Sequence, residues 1–281
     1  RHTVGLATFA FVSIAPIHIS EAATFASMVV EYTPGSGASL TEPDAALGEP
    51  SSVVGLGTGF DTILDVFNPH YESGQIVQIG EGGSLTLRLS HYAVTNGLVP
   101  EIGVFANVGI IDTDWPNGIA ASDLSAGSGT FGIDSVQVEV SPDGRFWASL
   151  GMVELDQPAN FYADLPTPST LDSEGLTEAD FGLSHSNSLA DFSGKNWEEI
   201  KQLLGASAGG TWLDLEPTGF DRAGWIRFTL PEDGDPNTTL SVEIDAVSIE
   251  GRAIGPAVPE PGAGALLTVC LAMWCGGRRR R

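Results

Sequence analysis

The chain predicts an all-β fold, a jelly-roll-like β-sandwich with one short helix, and three observations point there. Short apolar runs are separated by turn clusters rich in glycine (35) and proline (17), the punctuation of consecutive strands. Several runs alternate apolar and polar residues with period two, so each buries one face. There is no strand–helix–strand rhythm and no internal repeat, which argues against parallel α/β folds, propellers and solenoids.

In chain order, residues 28–32 read as a first strand, followed by a turn-rich segment to Gly59. Strands are expected at 63–67, 75–79 and 84–90. In Leu85-Thr86-Leu87-Arg88-Leu89 the alternation is clean, with Thr86 and Arg88 expected to face water. Glycines flank another strand at 102–108. The clearest hairpin spans 135–150: Val136, Val138 and Val140 share a face, Pro142-Asp143-Gly144 turns the chain, and Phe146-Trp147 begins the return. The pattern weakens over 158–193 into a long polar loop. Residues 196–205 form the one convincing helix, with Trp197, Ile200, Leu203 and Leu204 on one face and Gly205 placed to end it. Strands at 211–215, 225–230 and 240–249 close the domain. In the last, Val242, Ile244, Ala246 and Val247 depart from period two at Ala246-Val247, as a bulge would.

Acidic residues outnumber basic ones 36 to 12, for a formal net charge of −24. Arg1 and the four terminal arginines are among those basic residues, so the body between the ends is more acidic still. Such a field repels nucleic acid, excluding it as a partner, and it favours solubility and divalent cations. Both cysteines, Cys270 and Cys275, lie near the C-terminus, so the body carries no disulfide and must be held by a packed core.

One acidic loop offers a candidate site. Asp112-Thr113-Asp114-Trp115-Pro116-Asn117-Gly118 sets oxygen donors at alternate and nearby positions beside a turn glycine. Ca²⁺ takes about six to eight such oxygens, and Asp112, Asp114 and Asn117 are its candidate ligands. No carboxylate stands where an EF-hand loop places its bidentate ligand, and solvated loop carboxylates are the alternative reading. Trp115 is the candidate ligand-binding aromatic, suited to stacking on a sugar ring; Tyr71, Tyr92 and Tyr162 are further loop aromatics, while Trp147, Trp212 and Trp225 are expected in core strands. No catalytic residue is assigned. Gly205-Ala206-Ser207-Ala208-Gly209 trails a helix, whereas a nucleophile elbow follows a strand and opens a helix. Gly127-Ser128-Gly129-Thr130-Phe131-Gly132 precedes a strand and lacks the helix N-terminus that would hold a pyrophosphate.

The two ends read as sorting segments. Residues 4–19 are largely apolar behind Arg1 and His2, and small residues follow in Ser20-Glu21-Ala22 and Thr24-Phe25-Ala26. A signal peptide is therefore expected over 1–26, with signal peptidase as a partner. At the other end Val258, Pro259, Glu260 and Pro261 precede an apolar run at 263–275 and then Arg278, Arg279, Arg280 and Arg281. As a helix that run would rise about 20 Å, short for a lasting transmembrane span. The arginines would stop the C-terminus on the cytoplasmic side. The order of blocks over 256–281 resembles the PEP-CTERM sorting signal of Gram-negative bacteria.

That resemblance implies recognition and removal by an exosortase, transient inner-membrane anchoring, and delivery to the cell envelope, outer surface or extracellular matrix. An ordinary permanent anchor is the alternative. The body, 27–255, resembles galactose-binding-like and discoidin-like jelly rolls in three pieces: Phe67-Asn68-Pro69, the hairpin from Val138 through Ser141-Pro142-Asp143-Gly144 to Trp147, and Ile244-Asp245-Ala246-Val247. The function expected is a non-catalytic exported surface or matrix module, with extracellular polysaccharide as a partner. The alternative is an extracellular enzyme acting on polysaccharide through paired carboxylates.

Overall fold

The clean alternation over 85–89 falls within the longest strand, Ser84–Val94. The computed structural model describes residues 24–55, 58–124, 128–234, 240–251 and the backbone of 254–256. The expected leader up to residue 23 and the sorting tail from residue 257 lie outside these residues. Thr24, Phe25 and Ala26, within the span expected as leader, belong to the first strand. Among the described residues no helix is long and apolar enough to cross a membrane.

The first half of the chain supplies β1 (Thr24–Thr33), β2 (Val53–Val54), β3 (Thr62–Ile63), β4 (Val77–Gly80), β5 (Ser84–Val94), β6 (Ile102–Phe105), β7 (Gly109–Ile110) and β8 (Thr130–Phe131). Then come the hairpin β9 (Asp134–Ser141) and β10 (Ala148–Leu155), helix α1 (Trp197–Leu204), β11 (Thr211–Leu213) and β12 (Arg222–Thr229). The last strands are β13 (Ser241–Ile244), β14 (Ala246–Ile249) and β15 (Ile254–Pro256). The main sheet runs β10-β9-β12-β5-β1-β14-β6-β11, and its ladders are antiparallel. It folds over at β1: Thr24 and Phe25 pair with β14, whereas from Ala26 onward the strand pairs with β5. A register shift between Ala26 and Met28 marks the bend. The result is a nearly closed, sandwich-like all-β fold with one α-helix among the described residues.

Side-chain alternation sorts the interior into two cores. Leu85, Leu87 and Leu89 of β5, Val136, Val138 and Val140 of β9, and Ile226 and Phe228 of β12 point inward from one half of the folded sheet. They meet Ile102 and Val104 of β6 and Val247 and Ile249 of β14 from the other half. The opposite face of β6 and β14 is also covered: Phe105 and Ala246 join a second core with Phe161, Phe181, Phe192 and Trp197. The β14–β6 half is thus a middle layer, packed on one side by strands and on the other by irregular chain and α1.

Several local expectations hold. Asn196 caps α1, accepting from Glu199 N–H at 3.1 Å while the Glu199 carboxylate accepts from Asn196 N–H at 3.0 Å, and Gly205 ends the helix at φ 60°. The β9–β10 turn is tied by Ser141 Oγ, which accepts from Gly144 N–H at 2.8 Å, and by Asp143, which accepts from the N–H groups of Arg145 (2.8 Å) and Phe146 (3.0 Å).

Others are corrected. Of the strand expected over 63–67 only Ile63 pairs as a strand, with Thr62 before it, because Asp65 folds the next residues into a turn. Thr86 is buried, not water-facing, since β1 and β12 flank it with Glu31 and Arg227. Trp147 is no core residue: it lies half-buried under the Arg227 guanidinium, 4.2 Å from its ring centre, and Arg227 pairs with Glu139 at 2.8 Å. The stretch 158–193 is a packed layer as well as a polar loop. Its backbone groups are satisfied by distant partners, including Phe161 N–H to Leu64 C=O at 3.1 Å and Ile63 N–H to Thr170 C=O at 2.6 Å.

A candidate ligand-binding cleft

The site begins with a buried carboxylate that shapes a turn. Asp65 is 0% exposed and accepts hydrogen bonds from Phe67 N–H (2.8 Å), Ser169 N–H (3.0 Å) and the Asn68 side-chain amide (2.9 Å). Burial pushes this carboxyl up to about 6, while those donors pull it the other way. The turn it holds delivers Asn68, His70 and Tyr71 to a cleft of about 380 Å³. Phe60, Phe67, Asn107 and Phe131 also line it, with Val54, Thr62 and Pro69.

Three aromatic rings at this cleft are exposed, while a fourth, Phe67, is buried. Phe60 is 79% exposed, Tyr71 50% and Phe131 46%. Two glycines make room for them. Gly109 is the cross-strand partner of Phe131, and a Cβ there would collide with the Phe131 ring. Gly55 has φ +76°, and a Cβ on it would come 2.6 Å from the Phe60 carbonyl and 3.2 Å from Tyr71 Oη.

Polar groups of the lining are buried. His70 is 1% exposed, and its Nδ1 lies 2.7 Å from Oδ2 of Asp245, itself 4% exposed. Asp245 sits at the joint between β13 and β14, where its N–H bonds Phe105 C=O at 2.9 Å. Burial pushes the Asp245 carboxyl up, and the facing imidazole pulls it partly back. With the carboxylate ionised and the imidazole neutral, the ring proton lies on Nδ1, and Nε2 presents a lone pair. Neither His70 Nε2 nor Asn107 Oδ1, both buried atoms of cleft-lining residues, has a hydrogen-bond partner in the protein. The residues that line the cleft thus bring exposed apolar rings together with buried polar atoms left without a partner in the protein.

No protein-family model matches the chain, and no curated protein matches it either. Of the aromatics considered from sequence, Tyr71 lines the cleft, Tyr92 lies under the Arg222 guanidinium, and Tyr162 packs against Phe161. Trp115 is 69% exposed in its own loop and outside the cleft lining.

The acidic loop closes on itself. Asp112 accepts from the N–H groups of Asp114 (2.9 Å), Ile119 (2.9 Å) and Gly118 (3.0 Å), and Asp114 accepts from the Asn117 amide at 3.2 Å. The Asp112 carboxylate, one Asp114 oxygen and the Asn117 amide nitrogen are thus engaged in shaping the loop. Among the described residues no group of three or more His, Cys, Asp or Glu side chains could hold a metal ion. Ser207 of the Gly-x-Ser-x-Gly match is 2% exposed and donates to Leu183 C=O at 2.6 Å, so its hydroxyl is structural. The sorting residues 258–261 and 278–281 lie outside the described residues.

A second cleft, also of about 380 Å³, lies by Asp134, Leu230 and Val242. Asp134 hydrogen-bonds Glu243, which also accepts from Gln78 at 2.7 Å and Ser241 at 2.9 Å. Burial, then repulsion from Glu243, raises the Asp134 carboxyl from 3.8 to about 7. The folded chain thus binds this proton more tightly than the unfolded chain. Its stabilising contribution is full below pH 3.8 and is lost as pH rises through about 7. Asp134→Asn, which keeps a donor toward Glu243 at every pH, is expected to unfold at higher urea than the parent at pH 8, with the gap closing toward pH 4. A parent stability that stays flat across that window, or a variant weaker at pH 8, would contradict this.

Sequence reasoning missed the His70–Asp245 pair as a site. The available signals were an acid inside an apolar run and the lost alternation beside it. Ile244 and Val247 both reach the inter-sheet core, so the irregularity spans Asp245 and Ala246 and leaves Asp245 at the strand joint.

Proposed function

We propose that this is a non-catalytic, exported surface or extracellular-matrix protein whose jelly-roll sandwich binds carbohydrate in the cleft at Tyr71. The observation that carries the reading is the combination of exposed rings at Phe60, Tyr71 and Phe131 with buried, unpartnered acceptors on His70 and Asn107. Sugars have apolar ring faces bordered by hydroxyls, and this lining offers a surface for each. The antiparallel ladders and the strand β1 shared between the folded halves support the jelly-roll assignment. Export, an exosortase as processing partner, and a place in the envelope of a Gram-negative bacterium rest on the leader and tail sequences.

The carboxylate-enzyme alternative gains little from the geometry. Glycoside hydrolysis needs carboxyls about 5–9.5 Å apart, whereas Asp134 and Glu243 are in hydrogen-bond contact. Nor does a hydroxyl or thiol of the described residues lie within hydrogen-bond distance of His70 Nε2 to act as a nucleophile.

Binding to extracellular polysaccharide, followed by affinity electrophoresis, tests the proposal. Tyr71→Ala removes half-exposed ring surface and is expected to weaken binding about tenfold, worth about 1.4 kcal/mol, while Trp115→Ala leaves it unchanged. Release of shortened glycan would favour the enzyme reading, and retained affinity in Tyr71→Ala would remove the cleft from the account.

A further inference from the structure

The cleft's polar chemistry narrows the ligand class. Resting on the carbohydrate-binding reading, we propose that the cleft selects neutral, hydroxyl-rich glycans, with His70 Nε2 and Asn107 Oδ1 each accepting a hydrogen bond from a sugar hydroxyl. Both atoms are buried and unpartnered within the protein, and both belong to residues that line the same cleft. Nδ1 of His70 is committed to Asp245 at 2.7 Å, so Nε2 is the ring nitrogen left for a ligand, and in the neutral form of the ring it is the lone-pair atom. The carbonyl oxygen of Asn107 is an acceptor in any state. Two acceptors call for two donors, and an alcohol O–H is the donor that every neutral sugar carries.

An ionised carboxylate or sulfate would instead set lone pair against lone pair. Charge leads to the same class. The lining contains no Lys, Arg, Asp or Glu, so it supplies no counter-ion for either an anionic or a cationic sugar. Beyond the lining, the formal net charge of −24 opposes the approach of polyanions. The rings of Phe60, Tyr71 and Phe131 add apolar surface, which favours pyranose faces free of charge.

The test uses the purified full chain with two panels at matched ionic strength: dextran, galactan, mannan and xylan as neutral glycans, and alginate and polygalacturonate as acidic ones. Neutral glycans are expected to bind at least about tenfold more tightly than acidic ones. Asn107→Leu is expected to weaken that binding about tenfold. In the unsubstituted protein, whose folding is not at issue, neutral glycan is expected to move the ¹⁵N signal of His70 Nε2 while leaving that of Nδ1 in place. Preferred binding of an acidic glycan, still lost in Tyr71→Ala, would overturn this inference and leave the cleft reading standing. Neutral binding with an unmoved Nε2 signal and an unaffected Asn107→Leu would overturn the acceptor assignment. No binding by either panel, or binding indifferent to Tyr71→Ala, would overturn the carbohydrate reading and this inference with it.

Discussion

Replacing His70 with alanine is expected to cost about 3–5 kcal/mol of folding stability at pH 7, because it leaves a buried carboxylate without its partner. Asp245 is 4% exposed and its Oδ2 faces His70 Nδ1 at 2.7 Å, so the change removes the imidazole that faces this oxygen. In the variant, the carboxyl loses the one influence that holds it down against burial. Its folded value then lies further above the ordinary 3.8, so its contribution is intact below 3.8 and is lost as pH rises. The deficit should therefore be smaller at pH 4 than at pH 7. His70→Ala combined with Asp245→Ala should cost less than the sum of the two single changes, with a coupling of about 1–3 kcal/mol. Urea unfolding of the four proteins measures all of this. Additive single effects with no pH dependence would mean that the pair is not a unit.

The second large effect is expected at Phe181, where alanine should cost about 3–5 kcal/mol. Phe181 is 1% exposed and pins the irregular layer to the middle one: its ring centre lies 5.0 Å from Phe105, 5.4 Å from Phe161 and 6.0 Å from Phe25. Its carbonyl also accepts from Ser248 Oγ of β14 at 2.6 Å. Truncation leaves a cavity among rings that are held from several sides and cannot collapse inward. Hydrogen exchange in the variant should rise first over 158–210, with β5, β9 and β12 still protected. A loss below about 1 kcal/mol, or uniform exchange throughout the chain, would contradict the layered arrangement.

Local signals made part of this structure legible in the sequence. The alternation in β5 and β9, the Pro142-Asp143-Gly144 turn, and the Asn196 and Gly205 ends of α1 are each encoded within a few residues of where they act. The layer built from 158–193 is encoded differently. Ala159, Phe161, Leu165, Ala179, Phe181 and Phe192 are buried at irregular spacings by contacts with distant chain, so neither period two nor period 3.6 shows them.

The cleft divides along the same line. Tyr71 was visible as a loop aromatic, yet nothing local distinguishes it from Trp115, and only the fold places one in the cleft lining and the other outside it. His70 and Asp245 are 175 residues apart in sequence and meet only when the β13–β14 joint is laid beside the turn made by Asp65. The Asp112 loop shows the converse. Its composition suits a cation, and in the fold the backbone N–H groups of its own turn hydrogen-bond the Asp112 carboxylate, a use that composition does not reveal.

A glycan bound in the cleft at Tyr71, as proposed, would perturb the residues that line it. Titrating isotopically labelled protein with a neutral oligosaccharide and mapping the backbone amide shifts tests it most directly. The account predicts perturbations concentrated at Phe60, Asn68, His70, Tyr71, Asn107 and Phe131. Perturbations centred instead on the Trp147–Arg227 face or on the loop at 112–118, with the cleft amides unmoved, would contradict it.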